Sequence, residues 1–236
     1  MEGGSLSTDD FKAWAQNDVV PFLSVMTRIP DRENDALLRD YGGTGFPYLI
    51  YLDGDGNKIG KPTGRDMDAF KAGASAANDL LSLRKKVAKG VPGLESRLLL
   101  LELQMGAANF EDAKGRREAL KKPRKGAKEW KVQVGEIDAL LLDLEIDTLI
   151  RTTRRDKEAW PDTEILLYEM ANEGKFPSKF NRSFWSAVLN VSKKRKDSAM
   201  FQKGYDAYLE AYGKNPRAKK MLDGMKADLD ALKEDG

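Results

Sequence analysis

Asp143 and Asp147 stand one helical turn apart in DALLLDLEIDTLI, a spacing that puts two carboxylates on one face and would suit a hard cation. The stretch DGDGN at 53–57 has acidic spacing reminiscent of a calcium loop. KGRREALKKPRKGAKEWK at 114–131 gathers nine basic residues and two acidic ones with Trp130 at its edge, a composition suited to phosphate or nucleic acid. The remaining candidates are apolar. Gly45, Phe46 and Pro47 lead into the run YLIYL, and the segments FNRSFWSAV and YDAYLEAY bring together Trp185, Tyr208 and Tyr212.

Each of these has a plainer alternative. The DGDGN stretch lacks the glycine that a calcium loop needs at its sixth position, where Lys58 stands, and its twelfth position is Gly64 instead of glutamate, so a hairpin turn is the better reading. Ile137, Leu140, Leu141 and Leu144 occupy the face opposite Asp143 and Asp147, the pattern of an amphipathic helix with a solvated acidic side. The basic run reads as a solvated linker, because the whole chain offsets its charge: 40 Lys and Arg against 38 Asp and Glu leave +2. Split near Gly90, the two parts carry −1 and +3, so neither offers a field that selects nucleic acid.

The chain contains no cysteine and no histidine. Thiolate chemistry, disulfides, cysteine or histidine metal ligation and histidine general-base catalysis are therefore excluded. No metal, cofactor or catalytic residue is implied. The longest apolar runs, such as LLLL at 98–101, fall far short of a membrane span, and the first residues lack the basic start and apolar segment of an export signal. A soluble protein is expected, with no compartment or oligomeric state assigned.

The elements that must position these residues fall into two groups. TDDFKAWAQN at 8–17 predicts a short helix capped by Thr8, VVPFLSVMT at 19–27 a strand, and DRENDALLRDYGG at 31–43 a surface helix. PYLIYLD predicts a strand buried on both faces, joined through GDGN to a partner strand in NKIGKP. Thr63 and Asp66 predict the start of a helix running to about Val87. After KGVPG at 89–93 seven segments show helical apolar spacing, between residues 95 and 233. The expected organisation is a first domain over 1–88 and an all-helical domain over 89–236.

The stretch GFPYLIYLDGDGNKIGKPTG resembles the proline loop, central strand, hairpin turn and returning strand of the thioredoxin-like fold, over about residues 8–88. The resemblance implies an α/β thioredoxin-like sandwich, incomplete because MEGGSLST supplies neither the first strand nor the paired cysteines. It also implies a cis Phe46–Pro47 bond and a peptide-binding loop formed by Gly45, Phe46 and Pro47. LLLELQMGAANFEDAKGRREAL is similar to the tetratricopeptide pattern, with Gly106, Phe110, Ala113 and Leu120 at its small, aromatic, alanine and leucine places, although no clean 34-residue period runs through the chain.

Together these readings imply a non-catalytic module that binds a protein or an extended peptide. The alternative is the distal part of a thiol or selenol oxidoreductase whose redox residues lie upstream of Met1. The aromatic spacing of Phe180, Phe184, Trp185, Tyr205, Tyr208 and Tyr212 predicts packing between helices first. Any of Trp185, Tyr208 and Tyr212 left exposed would be the expected interaction surface.

Overall fold

The computed structural model describes residues 4–25, 34–43, 45–120 and 127–234. The chain forms two compact units, Met1–Ile137 and Asp138–Gly236.

In the first unit a 3-10 turn, Ser5–Ser7, leads into α1, Asp9–Asp18. Thr8 caps α1: its Oγ1 accepts the N–H of Phe11 at 3.2 Å, and Asp9 and Asp10 sit at the positive end of the helix dipole. The single turn α2, Leu37–Asp40, precedes β1, Tyr51–Leu52, and β2, Lys58–Gly60. The two strands pair antiparallel, with Tyr51 opposite Gly60 and Leu52 opposite Lys58. The long helix α3, Met67–Ala88, follows, then α4, Glu95–Met105, and α5, Phe110–Ala119. The α3 cap is Asp66, whose Oδ1 accepts the Ala69 N–H at 2.8 Å. The helix thus begins three residues later than a Thr63 cap would place it.

The core of this unit lies where β2 and α4 meet α3, with Ile59, Ala77, Leu80, Leu83, Leu98 and Met105 buried together. Tyr51 ties β1 to α3: its hydroxyl donates to the Phe70 carbonyl at 2.9 Å. Gly73 permits this approach, because a Cβ there would lie 2.6 Å from the Tyr51 oxygen. One carboxylate joins three helices. Glu102 on α4 is buried and accepts from Arg84 of α3 at 2.8 Å and from Arg116 of α5 at 2.5 Å.

The sheet is smaller than the sequence predicts. Residues 19–25 form no strand, and Val20, Phe22, Leu23 and Val25 are exposed; positions 26–27 of that expected strand lie outside the described residues. Pro21 has no N–H to give to a ladder, and among the described residues no strand pairs with the rest. The expected strand over PYLIYLD contracts to Tyr51–Leu52, which has β2 on one edge only. The expected helix at 31–43 is the one turn of α2, its first three residues lying outside the described residues. Among the described residues the protein is mostly helical with a two-stranded sheet.

In the second unit the remainder of α6, Ala127–Thr153, is followed by α7, Trp160–Asn172, α8, Arg182–Arg195, and α9, Ser198–Tyr212. A 3-10 turn, Pro216–Ala218, opens into α10, Lys219–Glu234. Consecutive helices pack on one another, α7 on α8, α8 on α9 and α9 on α10. Leu167, Phe184, Val188 and Tyr208 are fully buried at the centre of this unit. α8 and α9 start on side-chain caps: Asn181 accepts from the N–H groups of Ser183 and Phe184, and Asp197 from that of Met200.

The seven helices predicted after residue 93 are all present, α4 to α10. The composition changes at 89–93, whereas the compact units divide at Ile137, because α4 packs back onto α3 and β2.

Candidate functional site

The loop before β1 is held from three sides. Tyr41 donates its hydroxyl to the Gly56 carbonyl at 2.8 Å, and Tyr48 donates its own to the Tyr41 carbonyl at 2.8 Å. Lys58 of β2 donates to the Tyr48 oxygen at 2.9 Å and lies against the same ring. The turn between the strands is closed by Asp53, whose carboxylate accepts the N–H groups of Asn57 and Asp55 and the Asn57 side-chain amide. Those hydrogen bonds, that of the Asn57 N–H foremost, hold the Asp53 carboxyl below the usual carboxylate range. Its oxygens thus serve the hairpin, as a turn reading of DGDGN requires.

On this support the Phe46–Pro47 peptide is cis, and the Phe46 ring is 69% exposed. A Cβ added at Gly45 would meet open space. Beside Pro47 lies a cleft of about 270 Å³, lined by Leu6, Leu49, Phe70 and Arg65 together with Gly4 and Ser5. Phe70 is buried at its base and is met edge-on by Phe11 of α1, with ring centroids 5.9 Å apart. An apolar floor with one guanidinium at the edge can hold an apolar side chain and an anionic or carbonyl oxygen. Among the described residues that line it, the polar side chains are Ser5 and Arg65.

No family model matches the chain, and no curated protein or solved structure is significantly similar to it. The site therefore rests on its own geometry.

The other candidates fall elsewhere. Asp143 accepts the backbone N–H and the hydroxyl of Ser178, and Asp147 accepts the side-chain amide of Asn181 at 2.9 Å, so both carboxylates fasten the loop before α8 to α6. No group of three or more acidic side chains that could hold a metal occurs among the described residues, and no described helix is long and apolar enough to cross a membrane. Lys121, Lys122, Arg124 and Lys125, the centre of the basic run, lie outside the described residues. Arg116, at its start, is committed to Glu102 and Asp112.

Trp185 and Tyr208 are not surface residues, and the expectation that they form an interaction surface is corrected. Tyr208 is 1% exposed, meets Phe180 edge-on and shares a 2.7 Å hydrogen bond with Ser186. Trp185 is buried and stacks on Phe176. Both lie inside because they belong to the apolar cluster formed where α8 packs on α7 and α9. Tyr212 is half-buried against the edge of Phe180. Leu6, Arg65 and Phe70 were missed by sequence reasoning, since nothing in their types or spacing connects them with Pro47.

Proposed function

We propose that the protein is a non-catalytic protein-binding module and that the cleft beside Pro47 accepts an extended peptide. The observation that carries this reading is a largely exposed Phe46 next to an apolar cleft that Pro47, Leu49 and Phe70 line together with Arg65. On this reading the first unit is a thioredoxin-like element that retains the proline loop, the hairpin and the following helix. Backbone groups of the loop pair with the peptide, and the cleft takes one of its side chains. The α4–α5 hairpin is its tetratricopeptide-like companion: Gly106 ends α4 in a left-handed conformation, and Ala113 is fully buried on α5.

The test is binding to an immobilised array of extended heptapeptides by the intact chain, Phe46→Ala, Pro47→Ala and Arg65→Ala. Each loop substitution is expected to weaken the strongest binders by about tenfold, the effect of removing one good apolar contact, while the circular-dichroism spectrum is unchanged. Equal binding by all four proteins would refute the proposal.

A further inference from the structure

The second unit carries an independent cleft of about 300 Å³ at the corner between α9 and α10. Its apolar walls are Tyr205 and Leu209 of α9, Pro216 of the connecting turn and Leu222 of α10. Leu209 is 44% exposed, although its neighbour Tyr208 is buried in the core. The rim is cationic. Lys214 and Lys219 line the cleft, and the exposed Arg217 and Lys220 stand on the same turn, in the stretch GKNPRAKK. One carboxylate, Asp223, shares the lining.

Two features separate this corner from an ordinary solvated charge run. Among the described residues none of the four cations makes an ion pair, whereas Lys193, Arg195 and Lys175 in the same unit each do. The placement also opposes the helix dipole. α10 opens with Lys219 and Lys220 and has no acidic residue in its first turn, the reverse of the charge that its positive end favours. The repulsion is offset if an anion is delivered there by a partner whose apolar side chain fills the cleft.

We propose that this corner docks an acidic peptide segment carrying a bulky apolar side chain, the side chain seated against Leu209 and Leu222 and the flanking carboxylates facing Lys214, Arg217 and Lys219. Nucleic acid satisfies the cations, but the cleft offers a base only one aromatic ring to stack on, Tyr205, the rest of its apolar lining being Leu209, Pro216 and Leu222. The inference does not depend on the Pro47 cleft.

The probe is a fluorescein-labelled peptide, Asp-Glu-Leu-Phe-Glu-Asp, titrated with the intact protein and followed by anisotropy, with Asp-Glu-Ser-Ser-Glu-Asp and a single-stranded RNA hexamer as comparisons. The apolar acidic peptide is expected to bind, and binding is expected to fall about tenfold in Lys214→Glu/Lys219→Glu and about fivefold in Leu209→Ser. These side chains are exposed, so the variants should keep the parent's melting temperature. Amide shifts of Leu209, Lys219 and Leu222 in the unmodified protein locate the peptide without any substitution. The proposal is overturned by no binding at about 1 mM peptide (about 4 kcal/mol of binding free energy), by binding unchanged in the variants, by amide shifts elsewhere, or by equal binding of the serine peptide or the RNA.

Discussion

The hydroxyl of Tyr168 on α7 donates to Oδ2 of Asp197 at 2.7 Å, while Oδ1 of the same carboxylate accepts the Met200 N–H at 2.9 Å and starts α9. One side chain thus caps a helix and joins it to another two elements back in the chain. Partial burial would raise the Asp197 pKa, but hydrogen bonds from Met200, Tyr168 and Ala199 together outweigh it and hold the carboxyl below its ordinary value.

A carboxyl whose pKa is lowered by folding stabilises the protein while ionised in both states. That contribution is complete above about pH 3.9, the ordinary aspartate value, and is lost as the pH falls through the lower folded-state value. Asp197→Asn should therefore flatten the acid limb of the stability curve in urea titrations. At neutral pH Asp197→Ala is expected to cost about 2 kcal/mol, one part cap and one part hydrogen bond, and Tyr168→Phe about 1 kcal/mol. The double variant should lose less than the sum.

Glu102 is the buried counter-charge of two guanidinium groups that come from different helices. Glu102→Gln keeps the shape and removes the charge, leaving Arg84 and Arg116 facing each other. The expected loss is about 2–4 kcal/mol in chemical denaturation, below the full cost of breaking a buried pair because each arginine side chain remains 33% exposed. A loss under about 0.5 kcal/mol, the usual range of a surface substitution, would show that the three helices are held by their apolar contacts alone.

Gly204 of α9 lies tight against α8, where an added Cβ would stand 2.8 Å from Cγ and Cδ2 of Leu189. Gly204→Ala gains about 1 kcal/mol of helix propensity and loses about 1–3 kcal/mol to overpacking, so a net destabilisation is expected in thermal melts. In a Leu189→Ala background the same Gly204→Ala substitution should cost less, a coupling that a purely local backbone effect does not produce.

The helical half was legible because the signal of a helix is local: apolar residues at helical spacing, joined in some helices by a side-chain cap, as at Asn181, or a glycine stop, as at Gly106. The sheet was not, because a strand exists only with a partner, and partners are distant in sequence. VVPFLSV has strand composition and YLIYL has more, yet only Tyr51 and Leu52 find a ladder. Spacing also shows which residues share a face without showing how deep that face lies. Tyr208 and Leu209 are adjacent in a stretch whose spacing predicts packing, yet Tyr208 is buried and Leu209 is exposed. Pro47 was legible as a loop proline, but Leu6, Arg65 and Phe70 are gathered around it by tertiary packing.

The segment at 19–25 separates the two accounts by experiment. A strand buried in a sheet would bury Phe22 and Leu23, and truncating either would cost about 2–5 kcal/mol. In the structure both are more than 70% exposed, and no backbone hydrogen bond holds the segment to the described residues. Phe22→Ser/Leu23→Ser is therefore expected to change the unfolding free energy by less than about 0.5 kcal/mol, and the amides of Val20, Phe22 and Leu23 should exchange with solvent among the fastest in the chain. Slow exchange, with a loss of several kcal/mol in the double variant, would mean that in solution the segment has found the partner strand its composition calls for.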